Sequence, residues 1–165
     1  AADKRVPGNE SILFQLGAVS ERQQQYADAE RRFRQVLAGD PQHAGALNYL
    51  GYMLAERGER LDESVDLIQR ALVLDPNNGS YLDSLGWAYL KQNRLELAER
   101  PLRQASDQLG RNSVVQDHLG DLLFRLERYA EAISAWERAL AGDGDTVDLS
   151  VIQNKIRDSQ ARLPR

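Results

Sequence analysis

The chain has 165 residues, of which 28% are charged, with a formal net charge of −4 and no cysteine. The carboxylate surplus argues against a nucleic-acid binder, which shows a basic surplus. The lack of cysteine excludes disulfides, thiolate metal sites and cysteine nucleophiles, and no stretch approaches the ~18 consecutive apolar residues of a membrane helix.

Residues 1–9, with Pro7-Gly8, read as a flexible tail. The start Ala1-Ala2-Asp3-Lys4 has neither a methionine nor a hydrophobic leader core, and reads as a processed or trimmed piece. From residue 10 a repeat begins. Leu-Gly recurs at Leu16-Gly17, Leu50-Gly51, Leu85-Gly86 and Leu119-Gly120, with intervals of 34, 35 and 34 residues between the glycines. Upstream stand Leu13, Leu47, Leu82 and Gln116. Downstream come the columns Ala29, Ser64, Ala98, Ala132, then Phe33, Ile68, Leu102, Trp136, then Val36, Ala71, Ala105, Ala139. The second copy carries one extra residue between Gly58 and Asp62. Pro41, Pro76, Gly110 and Gly144 punctuate the copies, which rules out one continuous coiled coil.

Each copy reads as two helices. Leu47, Leu50 and Leu54 form one helical stripe, and Ala132, Ile133, Trp136, Ala139 and Leu140 another. A glycine inside a helix costs about 1 kcal/mol against alanine. Four in register imply close packing of the two helices, each glycine against the small residue at 29, 64, 98 or 132. The units run 10–43, 44–78, 79–112 and 113–146. The segment 147–165 reads as a capping helix, started by Thr146, with Val151, Ile152 and Ile156 covering the end of the stack. Pro101, inside a second helix, is expected to kink it at a solvent-facing position, the alternative being a functional bend that widens the groove.

These columns resemble the tetratricopeptide repeat family over roughly residues 10 to 146. The resemblance implies an all-α fold, a right-handed α–α superhelix of four helix pairs plus the C-terminal capping helix. The stretches Ala46–Tyr52, Leu82–Trp87 and Asp117–Asp121 also look like the C-terminal arrays of bacterial tetratricopeptide proteins, some of them exported outer-membrane lipoproteins that act as adaptors. The compartment stays open between periplasm and cytoplasm.

In the resembled family the first helices line a concave groove. The residue after each glycine and the one three before it would face it. That selects Phe14 and Ala18, Asn48 and Tyr52, Asp83 and Trp87, Asp117 and Asp121. The next turn adds Ala55, Leu90 and Phe124, or their neighbours Glu56, Lys91 and Arg125. Tyr52 and Trp87 are anchor types for a protein partner, the alternative being that they pack between adjacent first helices, and Asn48 can bond a peptide amide. Asp83, Asp117 and Asp121 make the groove acidic, so the expected partner segment is basic and apolar. The family's lysine–asparagine–arginine carboxylate clamp is absent, since its positions hold Phe14, Ala18, Tyr49, Ser80 and Ser84.

No catalytic constellation is legible. His43 reads as a solvated turn residue and His118 as a surface or groove-edge residue, and neither belongs to a metal-binding spacing. No phosphate loop and no nucleophile elbow occur. Asp117 and Asp121, four apart on one helix, read as a solvated acidic face before an acid/base pair. The expectation is a non-catalytic interaction module without metal, cofactor or nucleic acid. The alternatives are self-assembly through the repeat ends and an accessory domain of a larger enzyme.

Overall fold

The computed structural model describes residues 9–143 and 147–163. Every element among them is an α-helix. The chain divides into two compact units, Ala1–Pro76 and Asn77–Arg165. The first holds two helix pairs, α1 (Asn9–Arg22) with α2 (Tyr26–Gly39) and α3 (Ala44–Arg57) with α4 (Leu61–Leu74). The second holds α5 (Gly79–Lys91) with α6 (Leu95–Gln108), α7 (Ser113–Arg125) with α8 (Tyr129–Leu140), and α9 (Leu149–Gln160).

In the pairs α3–α4, α5–α6 and α7–α8 the two members start differently. Helices α3, α5, α7 and α9 begin at a side-chain cap. Asn78 Oδ1 accepts from the Ser80 and Tyr81 amides, Asn112 Oδ1 from Val115, and Asp148 Oδ1 from Ser150 and Val151. Such caps satisfy amides that the first turn leaves open. In α3 the cap is His43, whose Nδ1 accepts from the Ala46 amide at 3.0 Å. His43 is therefore a half-buried capping residue and not a solvated one, and its ring centroid lies 5.0 Å from that of Phe14. The cap of α9 is Asp148. Thr146, the expected cap, lies outside the described residues, as do Gly144 and residues 1–8 of the N-terminal tail.

The second helices have no side-chain cap. They follow a tight turn built on a left-handed residue: Gln24, Asn93 and Glu127 take φ of 60°, 62° and 59°. In the second copy two residues, Gly58 (66°) and Arg60 (44°), do this work. The extra residue seen in the sequence is absorbed there.

The aligned glycines mark the contact between helices of a pair. A Cβ on Gly51 would lie 2.6 Å from Ile68 Cγ1 and 3.0 Å from the Ser64 carbonyl oxygen. On Gly17 it would lie 2.8 Å from the Phe33 ring, and Gly86 and Gly120 stand as close to Leu102 and Trp136. The glycine thus makes room mainly for the bulky residue four positions after the small one, a correction to the expected glycine–small-residue pairing. Phe33, Ile68, Leu102 and Trp136 are all fully buried. The small column still matters, since Ser64 Oγ donates to the Gly51 carbonyl at 2.6 Å. Pro101 is buried, and α6 runs through it from Leu95 to Gln108. A proline removes one helical hydrogen bond, but here its ring faces inward and not toward solvent.

In the second unit Leu119, Leu122, Leu123, Trp136, Ile152 and Ile156 belong to one core. Ile152 and Ile156 are buried as expected, whereas Val151 is 46% exposed. The exposed positions of α9 are mixed, with Ser150, Gln153, Arg157 and Gln160 beside Leu149 and Val151. In the first unit α1 is also open. Ile12, Leu16 and Val19 on α1 are 60%, 43% and 45% exposed. Their counterparts one repeat on, Ala46, Leu50 and Met53, are at most 2% exposed.

Two four-residue ionic crosslinks repeat between second helices. Arg34 binds Glu63 at 2.8 Å while Arg60 binds Glu30 at 2.6 Å. In the second unit Arg103 binds Glu131 at 3.1 Å while Arg128 binds Glu99 at 2.5 Å. Partly exposed pairs contribute only about 0–1 kcal/mol each, so these crosslinks set register more than stability.

Two outcomes are expected. Gly51→Ala and Gly120→Ala each lower unfolding stability by about 1–3 kcal/mol through overpacking, against a propensity gain of about 1 kcal/mol. Urea denaturation followed by circular dichroism measures this, and a stabilised variant would show that the helix pair yields. Removing residues 147–165 strips Ile152 and Ile156 from the core and lowers stability by a few kcal/mol, more than removing residues 1–8. Equal melting temperatures of the two truncations would contradict it.

Candidate partner-binding surface of the first helices

Each unit presents part of the predicted surface. In the first unit Asn48 is 8% exposed, and its Oδ1, closed off from solvent, has no hydrogen-bond donor among the described residues. A buried amide oxygen left without a donor costs about 1–3 kcal/mol, and a partner amide reaches this one only if the side chains over it move. Tyr52, one turn on, is half-buried. Phe14 and Tyr49 meet edge to face at 5.3 Å, so Phe14 is engaged within the unit.

In the second unit the predicted residues form one cluster. Asp83 on α5 places both carboxylate oxygens 3.0 Å from His118 Nδ1 on α7. The His118 ring stacks on Trp87, with centroids 4.0 Å apart and planes 14° from parallel. His118 is buried, not at the surface or the groove edge. Asp117 and Asp121 both bond Lys155 Nζ of α9 at 2.7 Å. They are therefore not a solvated acidic face, being 20% and 24% exposed and bridged by a cation. Trp87, Phe124, Asp121 and Lys155 border a hollow of about 320 Å³, with Trp136 at its inner side and Lys91, Arg125 and Asp158 at its edge. Leu90, though buried, also lines the hollow, whereas Ala55 is fully buried.

Burial alone would push the His118 imidazole toward its neutral form. The Asp83 charge and hydrogen bond outweigh it, and Asp117 and Asp121 add to them, so its pKa is raised above 6.5. Burial raises Asp121 above the ordinary carboxylate range, with Asp117 adding to this and Lys155 opposing it. For Lys155 burial works against the ammonium, but Asp121 and Asp117 prevail and its pKa is raised.

A single relation underlies these contacts. The residue two before the glycine of a first helix meets the residue three before the glycine of an earlier one. Tyr49 meets Phe14, and His118 meets Asp83 at a separation of 35 residues. Lys155 meets Asp117 in the same way at a separation of 38. The buried residues of α9, Ile152, Ile156 and Ser159, repeat the spacing of Val115, Leu119 and Leu122 on α7. That alignment places Lys155 at the His118 position. Sequence reasoning missed both cations. A contact rule at 35 residues finds His118, while the longer link before α9 hides Lys155.

Helix pairs with this glycine packing and first-helix surface define a helical repeat protein of the interaction type. The tetratricopeptide repeat family matches over residues 14–79 and 84–148. The chain belongs to that family. It is similar to a TPR repeat-containing protein of Pseudomonas aeruginosa, 38% identical over 118 residues, which are 72% of this chain and 20% of that protein. The chain thus spans about a fifth of that curated relative. Solved structures share the fold. A thermophilic TPR protein of Thermus thermophilus has a TM-score of 0.78 at 20% identity, covering 92% of this chain and 81% of its own. The MamA protein has 0.70 at 17%, covering 95% and 84%. The APC/C hetero-tetramer Cut9–Hcn1 has 0.83 at 17%, covering 96% of this chain and 31% of that one.

The raised His118 pKa fixes a pH dependence. A group with a raised folded pKa contributes stability that is complete below its unfolded value and lost as pH rises through the folded value. Unfolding stability should therefore fall as pH climbs above 6.5, and His118→Gln should flatten that slope. Urea titrations at several pH values measure both, and an unchanged slope in the variant would place the dependence elsewhere.

Proposed function

We propose that the chain is a non-catalytic protein-interaction module that holds a partner segment against its first helices. One observation carries this reading. The half-buried Trp87 borders a side-chain-sized hollow, at the register position that Tyr52 holds in the first unit. Asn48 holds an acceptor without a donor among the described residues, which a backbone amide would reach by displacing the side chains over it. Asp83 is buried beneath this surface while Asp117 and Asp121 reach it, and all three support the reading by holding α5, α7 and α9 in place more than as free charges. The basic partner expected from the sequence would have to compete with His118 and Lys155 for them. Asp117 and Asp121 retain some exposure for such a contact.

Self-assembly is the second reading. The exposed Ile12, Leu16 and Val19 of α1, and Leu149 and Val151 of α9, favour it.

Anchors of this kind cost ~2 kcal/mol or more when truncated, about 30-fold in affinity. Trp87→Ala and Tyr52→Ala should each weaken a captured partner by at least ~30-fold. Trp87 also stacks on His118, so Trp87→Phe serves as the control that keeps an aromatic face. Titration calorimetry beside melting curves separates binding from folding. Folded Trp87→Ala and Tyr52→Ala variants that bind normally would remove the aromatics from the site.

A further inference from the structure

The interaction reading leaves the partner's chemistry open, and the charges around the second unit's hollow narrow it. The carboxylates that gave the groove its acidic look already face cations of the chain: Asp83 faces His118, and Asp117 and Asp121 share Lys155. The uncommitted charge is of the other sign. Lys91, in the last turn of α5, is exposed, with Nζ 5.0 Å from the Trp87 ring centroid. Arg125, in the last turn of α7, donates only to neutral acceptors, the Leu90 carbonyl at 2.9 Å and Asn93 Oδ1. Arg162, following α9, holds its guanidinium 5.0 Å from the Phe124 centroid. Among the described residues none of these three cations is in an ion pair. Opposite them, outside the Lys155 cluster, Asp158 is the one carboxylate lining the hollow among the described residues.

The hollow itself is aromatic-walled. At about 320 Å³ it sits at the small end of ligand pockets, ~300–1,000 Å³, suited to one large side chain. Burying such a chain against Trp87 and Phe124 supplies the apolar term. Cations on the lip favour an anionic neighbour and raise its association rate.

We propose that this hollow docks an acidic, aromatic-bearing peptide segment. A Phe, Tyr, Trp or branched aliphatic side chain enters against Trp87 and Phe124, and an adjacent Asp or Glu rests on the Lys91–Arg125 lip. The proposal rests on the interaction-module reading and specifies its chemistry.

The test pans a phage-displayed library of random dodecapeptides on the full chain and titrates the selected peptides. The expected peptides carry Asp or Glu within a few positions of an aromatic or aliphatic residue, and their affinity falls as salt rises. Lys91→Glu, and Lys91→Glu with Arg125→Glu, should weaken them at least tenfold, and Phe124→Ala should do the same, with circular dichroism unchanged. The single Lys91→Glu variant keeps the test valid if loss of the Arg125–Leu90 contact disturbs folding. Basic peptides that lose binding to folded Trp87→Ala or Tyr52→Ala variants would overturn this proposal and leave the module reading standing. Acidic peptides indifferent to both lip variants would overturn it as well. Peptides indifferent to every first-helix substitution, or no enrichment at all, would overturn both readings.

Discussion

The contact on which the structure depends is the one between a glycine and the bulky residue of the next helix. Gly17 with Phe33, Gly51 with Ile68, Gly86 with Leu102 and Gly120 with Trp136 are the same joint made four times. A missing Cβ lets a large side chain press against the opposing backbone. That sets how closely the pair approaches, and it fixes the rotation of the first helix about its axis. The rotation in turn decides which residues stand one after and three before the glycine. A site residue such as Trp87 is thus placed by a packing contact on the far side of its own helix.

Electrostatics then act on what packing has placed. A buried charge is tolerated when paired and hydrogen-bonded. The second unit meets this condition twice, with an imidazole on a carboxylate and an ammonium on two. In the first unit the equivalent rung is the aromatic contact of Phe14 with Tyr49. One position in the repeat therefore accepts apolar or ionic chemistry, provided both partners change together. The ionic rungs are conditional on protonation in a way that the aromatic rung is not.

The fold was legible because its determinants recur. Four glycines at intervals of 34, 35 and 34 residues, with their small and bulky partners, report helix pairing without any knowledge of contacts. The candidate site was legible only in position. Asn48, Tyr52, Asp83, Trp87, Asp117 and Asp121 follow from register. Their chemistry does not, because it depends on side chains 35 or more residues away. Asp117 and Asp121 looked like solvent-facing acids since Lys155 lies beyond a longer link. His118 looked exposed since a polar residue on a first helix carries no mark of the carboxylate it will meet. His43 read as a turn residue and proved to be a cap, because its imidazole nitrogen substitutes for the usual Asn or Asp oxygen. Pro101 was legible and was missed: it stands three after Ala98 and four before Ala105, on the stripe that those columns define.

The apolar stripe of α1 has a consequence for assembly. Among the described residues Ile12, Leu16 and Val19 lie open on one face of that helix. A patch that pairs with its own copy about a two-fold axis covers both copies in a single contact. Association through the α1 stripe is therefore self-limiting, and it stops at two molecules.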